Sequence, residues 1–155
     1  MKTILVGYDG ARSAERALMR AAELAQAFGS RVIVVSVSAL EPLAATGGGA
    51  FGLNYYYPTI DEVARTDELL WQQHRERVEA FCAGFGVEVE FAGVSGQPVE
   101  EIVEVADEYD SDLIVVGTRE PDFLERLLGG SISQGVARRA HCDVLIVHPP
   151  EESAS

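Results

Sequence analysis

The chain alternates five short strand-like segments, most of them continuous apolar runs, with segments whose apolar residues recur every three or four positions. In the first run, Thr3 to Gly7, apolar residues follow one another as in a strand buried on both faces of a parallel sheet. The next segment places Ala14, Ala17 and Leu18 at helical spacing. This alternation predicts an α/β fold, an open and doubly wound sheet of five mainly parallel strands with four helices.

Local signals predict where several elements begin and end. Ser13 is expected to cap the first helix, which Gly29 ends. A second helix is expected from about Asp61 to Phe85, with His74 on its apolar side as a packed histidine. Between residues 87 and 91, apolar residues alternate with glutamates, so this third strand is expected at an edge of the sheet.

Composition limits the possible functions. The chain has 12 basic and 25 acidic residues and a net charge of -13, which argues against binding to nucleic acid. No apolar run is long enough to span a bilayer and no signal peptide is recognisable, so we expect no membrane association and a cytoplasmic protein. Two cysteines, Cys82 and Cys142, show no metal spacing and are expected to be core thiols.

The length suits a single domain over residues 1–148, followed by a polar tail, 149–155, that is predicted to be disordered. Between about residues 38 and 60 the pattern lapses into a long loop. Such a loop is either a lid or contact surface, or an insertion without a binding role.

Unusual residues follow two of the predicted strands. In open α/β sheets, ligands bind beyond the carboxyl ends of the strands, where the strand order reverses. The first strand ends in Gly7-Tyr8-Asp9-Gly10, the fourth ends in Gly117-Thr118-Arg119-Glu120, and Gly130-Ser131 opens the helix that follows. Free amides at that helix start favour an anion, although Gly-Ser there is also a common cap. The turn from Gly117 to Ser131 is therefore the predicted phosphate position.

These residues resemble the universal stress protein family along nearly the whole chain, from residues 2–10 to residues 143–147. The most specific segment is Asp112 to Gly117, followed by Arg126-Leu127-Leu128 and Gly130-Ser131. In the family's nucleotide-binding branch a glycine is followed by two residues, a second glycine, nine residues, and a glycine with a small hydroxyl residue. Gly117, Gly130 and Ser131 match in register, but Glu120 replaces the second glycine.

The resemblance implies a Rossmann-like sheet with strand order 3-2-1-4-5 and a dimeric stress-response regulator that acts through partners. Its implied ligand is ATP, or ADP or AMP, with Mg²⁺ possible. Dimerisation would use the last strand, whose exposed edge invites pairing. The protein would not be an enzyme, or would hydrolyse ATP only slowly, because no general base or dedicated metal carboxylates accompany the site.

The resemblance also assigns residues. Asp9 would lie near the adenine or ribose, Val37 would offer its backbone to the adenine edge, and the glycines and serines would line the phosphates. Asp9 has an alternative explanation as an Asx-type turn residue at a strand end. The implied nucleotide-binding set is Gly7, Asp9, Val37, Gly117, Arg119, Gly130, Ser131 and Ser133.

Glu120 leaves three outcomes open. A carboxylate at this position repels a triphosphate. Either ATP binds through a rearranged turn, or AMP and ADP bind nearly as well as ATP, or nucleotide binding is lost. The alternative function is a nucleotide-free dimeric interaction scaffold of the same fold.

The sequence lacks the dinucleotide-binding motif and the P-loop motif. His141 and His148 are too far apart along an extended chain to share a metal ion.

Overall fold

The computed structural model describes residues 1–38, 59–118 and 132–150. Strands and helices alternate strictly along these segments. In chain order they are β1 (Thr3–Gly7), α1 (Arg12–Phe28), β2 (Arg31–Ser38), α2 (Ile60–Phe85), β3 (Val89–Ser95), α3 (Pro98–Glu108), β4 (Leu113–Gly117), α4 (Ile132–Arg139) and β5 (Asp143–Val147).

The five strands form one sheet in the order β3-β2-β1-β4-β5. All four strand pairs are parallel, and Val6 of β1 lies opposite both Val34 of β2 and Val115 of β4. The predicted architecture and strand order are therefore confirmed.

The continuous apolar runs are explained by two cores, one on each face of the sheet. Because successive side chains of a strand point to opposite faces, Ile4 and Val6 pack with α1 and α2, whereas Leu5 packs with α3 and α4. The same alternation continues through β2 and β4. A strand between two helical layers must be apolar at every position, and that is the pattern seen in the sequence.

The start of α1 differs from the prediction. The N-cap residue is Ala11 and makes no side-chain cap, while Ser13 lies inside the helix and is buried. The Asp9 carboxylate accepts a hydrogen bond from the Ala11 N–H (2.9 Å), so the turn is already closed before Ser13 is reached. The prediction that Ser13 caps the helix is therefore wrong. Gly29 does end α1, in the left-handed conformation expected of it (φ 67°).

The second helix begins with a capping box. The Thr59 hydroxyl accepts from the Glu62 N–H (3.2 Å), and the Glu62 carboxylate accepts from the Thr59 N–H (2.8 Å). This reciprocal pair sets the helix start at Ile60, one residue before the predicted position.

The third strand lies at an edge, as predicted, but occupies Val89–Ser95 rather than residues 87–91. It pairs with β2 from Val32↔Val89 to Ser38↔Ser95. The Trp71 ring covers Gly93, where an added Cβ would lie 2.7 Å from the ring carbon Cγ, which explains a glycine in mid-strand.

The cysteines occupy two environments. Cys82 is fully buried in the α1/α2 core, as predicted, but Cys142 is only partly buried just before β5. None of the described helices combines the length and the apolar character needed to cross a membrane.

Candidate functional site

The order of the strands reverses between β1 and β4, which are neighbours in the sheet although five elements, α1 to α3, lie between them along the chain. Both strands end in a glycine, Gly7 and Gly117, at the same edge. Helix α1 leaves this edge toward one face, and α3 and α4 cover the other. The carboxyl edge of β1 and β4 is thus the switch point at which open α/β sheets bind ligands.

Gly117 is required by packing at this edge. A Cβ on Gly117 would collide with the carbonyl oxygen of Ser13 and would lie 2.6 Å from the Ser13 carbonyl carbon. The end of β4 therefore presses directly on the backbone of the first turn of α1. Thr118 continues the strand end toward β5, because its N–H donates to the Val147 carbonyl (3.0 Å).

The residues after β1 form a tight turn. Asp9 is exposed, and its Oδ1 accepts from the Ala11 N–H at 2.9 Å, which is the Asx-type arrangement. Gly10 has φ 79°, a conformation that disfavours a side chain, and an added Cβ would lie 2.9 Å from Nε2 of His74. The alternative explanation for Asp9 as a turn residue is thus part of the structure, and it leaves the carboxylate at the surface.

A buried cluster of Tyr8, Ser36 and His74 packs against this turn. The His74 ring lies edge-on to the Tyr8 ring, with centroids 5.2 Å apart, and its Nδ1 lies 2.9 Å from the Ser36 hydroxyl. Burial lowers the pKa of His74, and Arg77 acts in the same direction while Asp9 opposes it. His74 is therefore a packed histidine, as the sequence predicted, and its burial favours the uncharged ring.

Sequence reasoning singled out neither Tyr8 nor Ser36. One signal was available, because a glycine at residue 10 next to Asp9 indicates that something bulky approaches the turn. Nothing in the spacing of residues 36 and 74 along the chain identifies them as partners.

Strand β2 projects beyond β1 at the same edge. The pairing between them ends at Gly7↔Val35, after which the Tyr8 N–H donates to the Val35 carbonyl (2.9 Å). Val37 lies two residues farther out and is half-buried, and it is paired with Val94 of β3. The last residues of β2 therefore extend beyond the end of β1, and Val37 is one of them.

Ser133 belongs to the first turn of the fourth helix. Ser133 is the second residue of α4 and is 3% exposed. Gly135 allows α4 to lie against α3, because an added Cβ would be 2.7 Å from Cγ2 of Val99. The other predicted phosphate residues, Arg119, Gly130 and Ser131, lie outside the described residues, as do Glu120 and Arg126.

Across residues 1–38, 59–118 and 132–150, no group of three or more histidine, cysteine or acidic side chains is arranged to hold a metal ion. Of the eight predicted site residues, five are described: Gly7, Asp9, Val37 and Gly117 lie at or just beyond the carboxyl ends of β1, β2 and β4, and Ser133 lies in the first turn of α4. What those residues can offer a ligand is an exposed carboxylate at Asp9, the projecting end of β2 and backbone groups at the strand ends.

Comparison with known proteins identifies the family. Residues 1–148 match the model of the universal stress protein family. The chain belongs to this family. The universal stress protein Rv1636 of Mycobacterium tuberculosis is 37% identical over 147 residues, which cover 95% of this chain and 96% of that protein.

Two solved universal stress proteins are similar in fold and carry nucleotides. One, in complex with cAMP, is 32% identical with a TM-score of 0.66 and covers 96% of this chain and 98% of its own. Another, from Archaeoglobus fulgidus and in complex with dAMP, is 26% identical with a TM-score of 0.62 and covers 94% and 97%. Both ligands are adenine nucleotides with a single phosphate.

Proposed function

We propose that this universal stress protein binds an adenine nucleotide at the carboxyl edge of β1 and β4. The observation that carries the proposal is the reversal of strand order between two strands that both end in glycine, at the position where open α/β sheets bind ligands. The complexes of two family members with cAMP and dAMP support adenine as the base.

The proposed contacts divide between the two ends of the ligand. The projecting end of β2 at Val37 meets the adenine edge, and the exposed Asp9 carboxylate meets the ribose or adenine. Gly7 and Gly117 would contribute backbone groups, because the space beside their α-carbons is already filled, by Ile102 at Gly7 and by Ser13 at Gly117. The phosphates lie toward the start of α4, where Arg119, Gly130, Ser131 and Ser133 belong to the proposed set, because helix starts favour anions.

Thermal unfolding with ATP, ADP, AMP and cAMP tests the proposal. A ligand at a hundred times its dissociation constant adds about 2.7 kcal/mol to the free energy of unfolding, which is readily measured as a shift in Tm. GTP is the matched control, since it has the same phosphates on a different base. No Tm shift with any adenine nucleotide at millimolar concentration would reject the proposal.

The identity of the nucleotide depends on Glu120. Its carboxylate repels the outer phosphates of ATP if it faces them, whereas AMP has no outer phosphates. Glu120→Gly is therefore expected to strengthen ATP binding more than AMP binding. An equal effect on both would show that the carboxylate does not act on the outer phosphates. Mg²⁺ dependence of ATP binding tests whether a cation offsets the charge.

We also propose that the protein is a homodimer that pairs through β5 and acts through partner proteins. Strand β5 lies at an edge of the sheet, and its residues Val144 to Val147 are only partly buried, whereas the central strands are buried on both faces. An edge of this kind invites pairing with a second copy. Ile146→Lys should lower the mass measured by light scattering, while Phe28→Lys, at an exposed apolar residue elsewhere, should not.

A nucleotide-free scaffold of the same fold is the second candidate. Two observations favour it: Asp9 closes a turn and Gly117 packs on Ser13, so both residues have structural roles that need no ligand. The absence of any thermal shift together with an intact dimer would favour the scaffold.

Enzymatic activity is proposed to be absent or limited to slow ATP hydrolysis. Phosphate release is the direct measurement, with Ser131→Ala as the comparison. Sustained release by the wild-type protein that Ser131→Ala abolishes would contradict this part of the proposal.

A further inference from the structure

A groove lies between α1 and α2, on the face of the sheet opposite α3 and α4. Its volume is about 530 Å³, within the range of small-molecule sites, which is roughly 300–1,000 Å³. Residues of α1, Arg77 and Phe81 of α2, Tyr8, and Pro150 after β5 line the groove. The nucleotide proposal does not use this surface.

The groove is basic in an acidic protein. The whole chain has 12 lysines and arginines and a net charge of -13, yet Arg12, Arg16 and Arg77 all line this one groove. The single carboxylate among the lining residues, Glu15, lies 3.4 Å from the Arg77 guanidinium with both side chains half-exposed. Arg12 and Arg16 form no ion pair with any described residue. The local charge therefore favours an anion.

Two polar atoms that line the groove are buried. Tyr8 is only 3% exposed; burial raises the pKa of its hydroxyl, and a side-chain hydrogen bond with Arg77 partly offsets that rise. Nε of Arg16 is buried and has no hydrogen-bond partner among the described residues. Buried polar atoms are normally paired because an unpaired one is costly, so this Nε indicates an acceptor oxygen supplied from outside the chain.

The rest of the groove is apolar. Leu18, Met19 and Phe81 line it, and Met19 remains 46% exposed although it belongs to the middle of α1. A methionine and an aromatic ring adapt to apolar bodies of different shapes. The basic end and the apolar wall together select a ligand that has both characters.

We propose that this groove binds an amphipathic organic anion, with its charged head at Tyr8, Arg12 and Arg16 and its apolar body against Met19 and Phe81. The planar guanidinium fork matches the two oxygens of a carboxylate and also those of a phosphate monoester. The Tyr8 hydroxyl donates to the same head. The proposal does not depend on the nucleotide site.

Calorimetric titration with octanoate tests the proposal, and three further probes test the charge, the apolar body and the head group separately. Octanol lacks the charge, acetate lacks the apolar body, and octyl phosphate exchanges the head group. Octanoate should bind at millimolar concentration or below, and octanol and acetate should each bind at least about tenfold more weakly. Octyl phosphate distinguishes a carboxylate from a phosphate preference. Absence of octanoate and octyl phosphate binding would overturn the proposal.

Variants locate the binding. Arg16→Gln should weaken octanoate about tenfold, whereas Arg20→Gln should not, since Arg20 is exposed one turn along the same helix and pairs with Glu23. Tyr8→Phe retains the ring against His74 and removes only the hydroxyl, so it should weaken the ligand without lowering Tm. Equal effects of Arg16→Gln and Arg20→Gln would show nonspecific attraction and reject the site. Displacement of octanoate by AMP would place it at the carboxyl edge and reject the proposal equally.

Discussion

Gly117→Ala tests how the candidate site is built. The added methyl group would lie 2.6 Å from the carbonyl carbon of Ser13 and 2.9 Å from its Cβ, and it would collide with the carbonyl oxygen. These atoms belong to the first turn of α1, so relief requires that the helix and β4 move apart. Overpacking of this kind costs about 1–3 kcal/mol, and we expect a loss of that size. For a domain of this length, this corresponds to a fall in Tm of roughly 2–12 °C.

Urea denaturation followed by circular dichroism measures this loss directly, and Gly84→Ala is the matched control. Gly84 is an exposed residue near the end of α2, and an added Cβ there meets nothing within 4 Å. The control should be stabilised by about 0.4–1 kcal/mol, because alanine restricts the unfolded chain. A Gly117→Ala protein as stable as the wild type would refute the packing role of Gly117.

Three further predictions concern stability and reactivity. Because burial lowers the pKa of His74 below its ordinary value of 6.5, stability should decline as pH falls below that value, and His74→Gln should flatten this decline in thermal unfolding. Burial raises the pKa of both thiols, that of Cys82 to about 11, but Cys82 is fully buried and Cys142 only partly, so iodoacetamide should modify Cys142 first in the native protein, as mass spectrometry would show. Thr59→Ala removes the capping box of α2 and should cost about 1 kcal/mol in chemical denaturation, whereas Thr66→Ala should cost less.

The architecture was predictable because its cause lies in local pattern. A strand covered on both faces must be apolar throughout, and β1 and β4 show this directly. The alternating glutamates of β3 predict its position at an edge of the sheet. They do not predict where β3 ends, because the pairing that extends it to Ser95 depends on the length of β2 and on Trp71 covering Gly93.

The start of α1 shows why the cap was mispredicted. A serine before an apolar helical pattern is a common cap. Here the helix begins at Arg12, before Ser13, and the Ala11 N–H at its start donates to the Asp9 carboxylate. The buried set of Tyr8, Ser36 and His74 was equally invisible. These side chains meet because β2 and α2 pack against the end of β1, and such tertiary contacts leave no local pattern.

The turn after β1 carries residues that serve different surfaces. Tyr8 is buried and lines the α1/α2 groove, whereas Asp9 is exposed at the carboxyl edge. Gly10 adopts a positive φ and leaves room for His74. Packing therefore accounts for much of this turn, and a test of nucleotide binding must change the ligand contact while it preserves the turn.

Asp9→Asn makes that separation. The asparagine side chain retains an oxygen that can accept the Ala11 N–H, so the Asx turn and the Tm should be preserved. If the charged Asp9 accepts a hydrogen bond from the ribose or adenine, loss of the charge should cost about 1.4 kcal/mol or more, which is tenfold in affinity for AMP by calorimetry. Asp9→Ala should weaken AMP further and also lower Tm. If Asp9→Asn binds AMP as the wild type does, the carboxylate acts only in the turn.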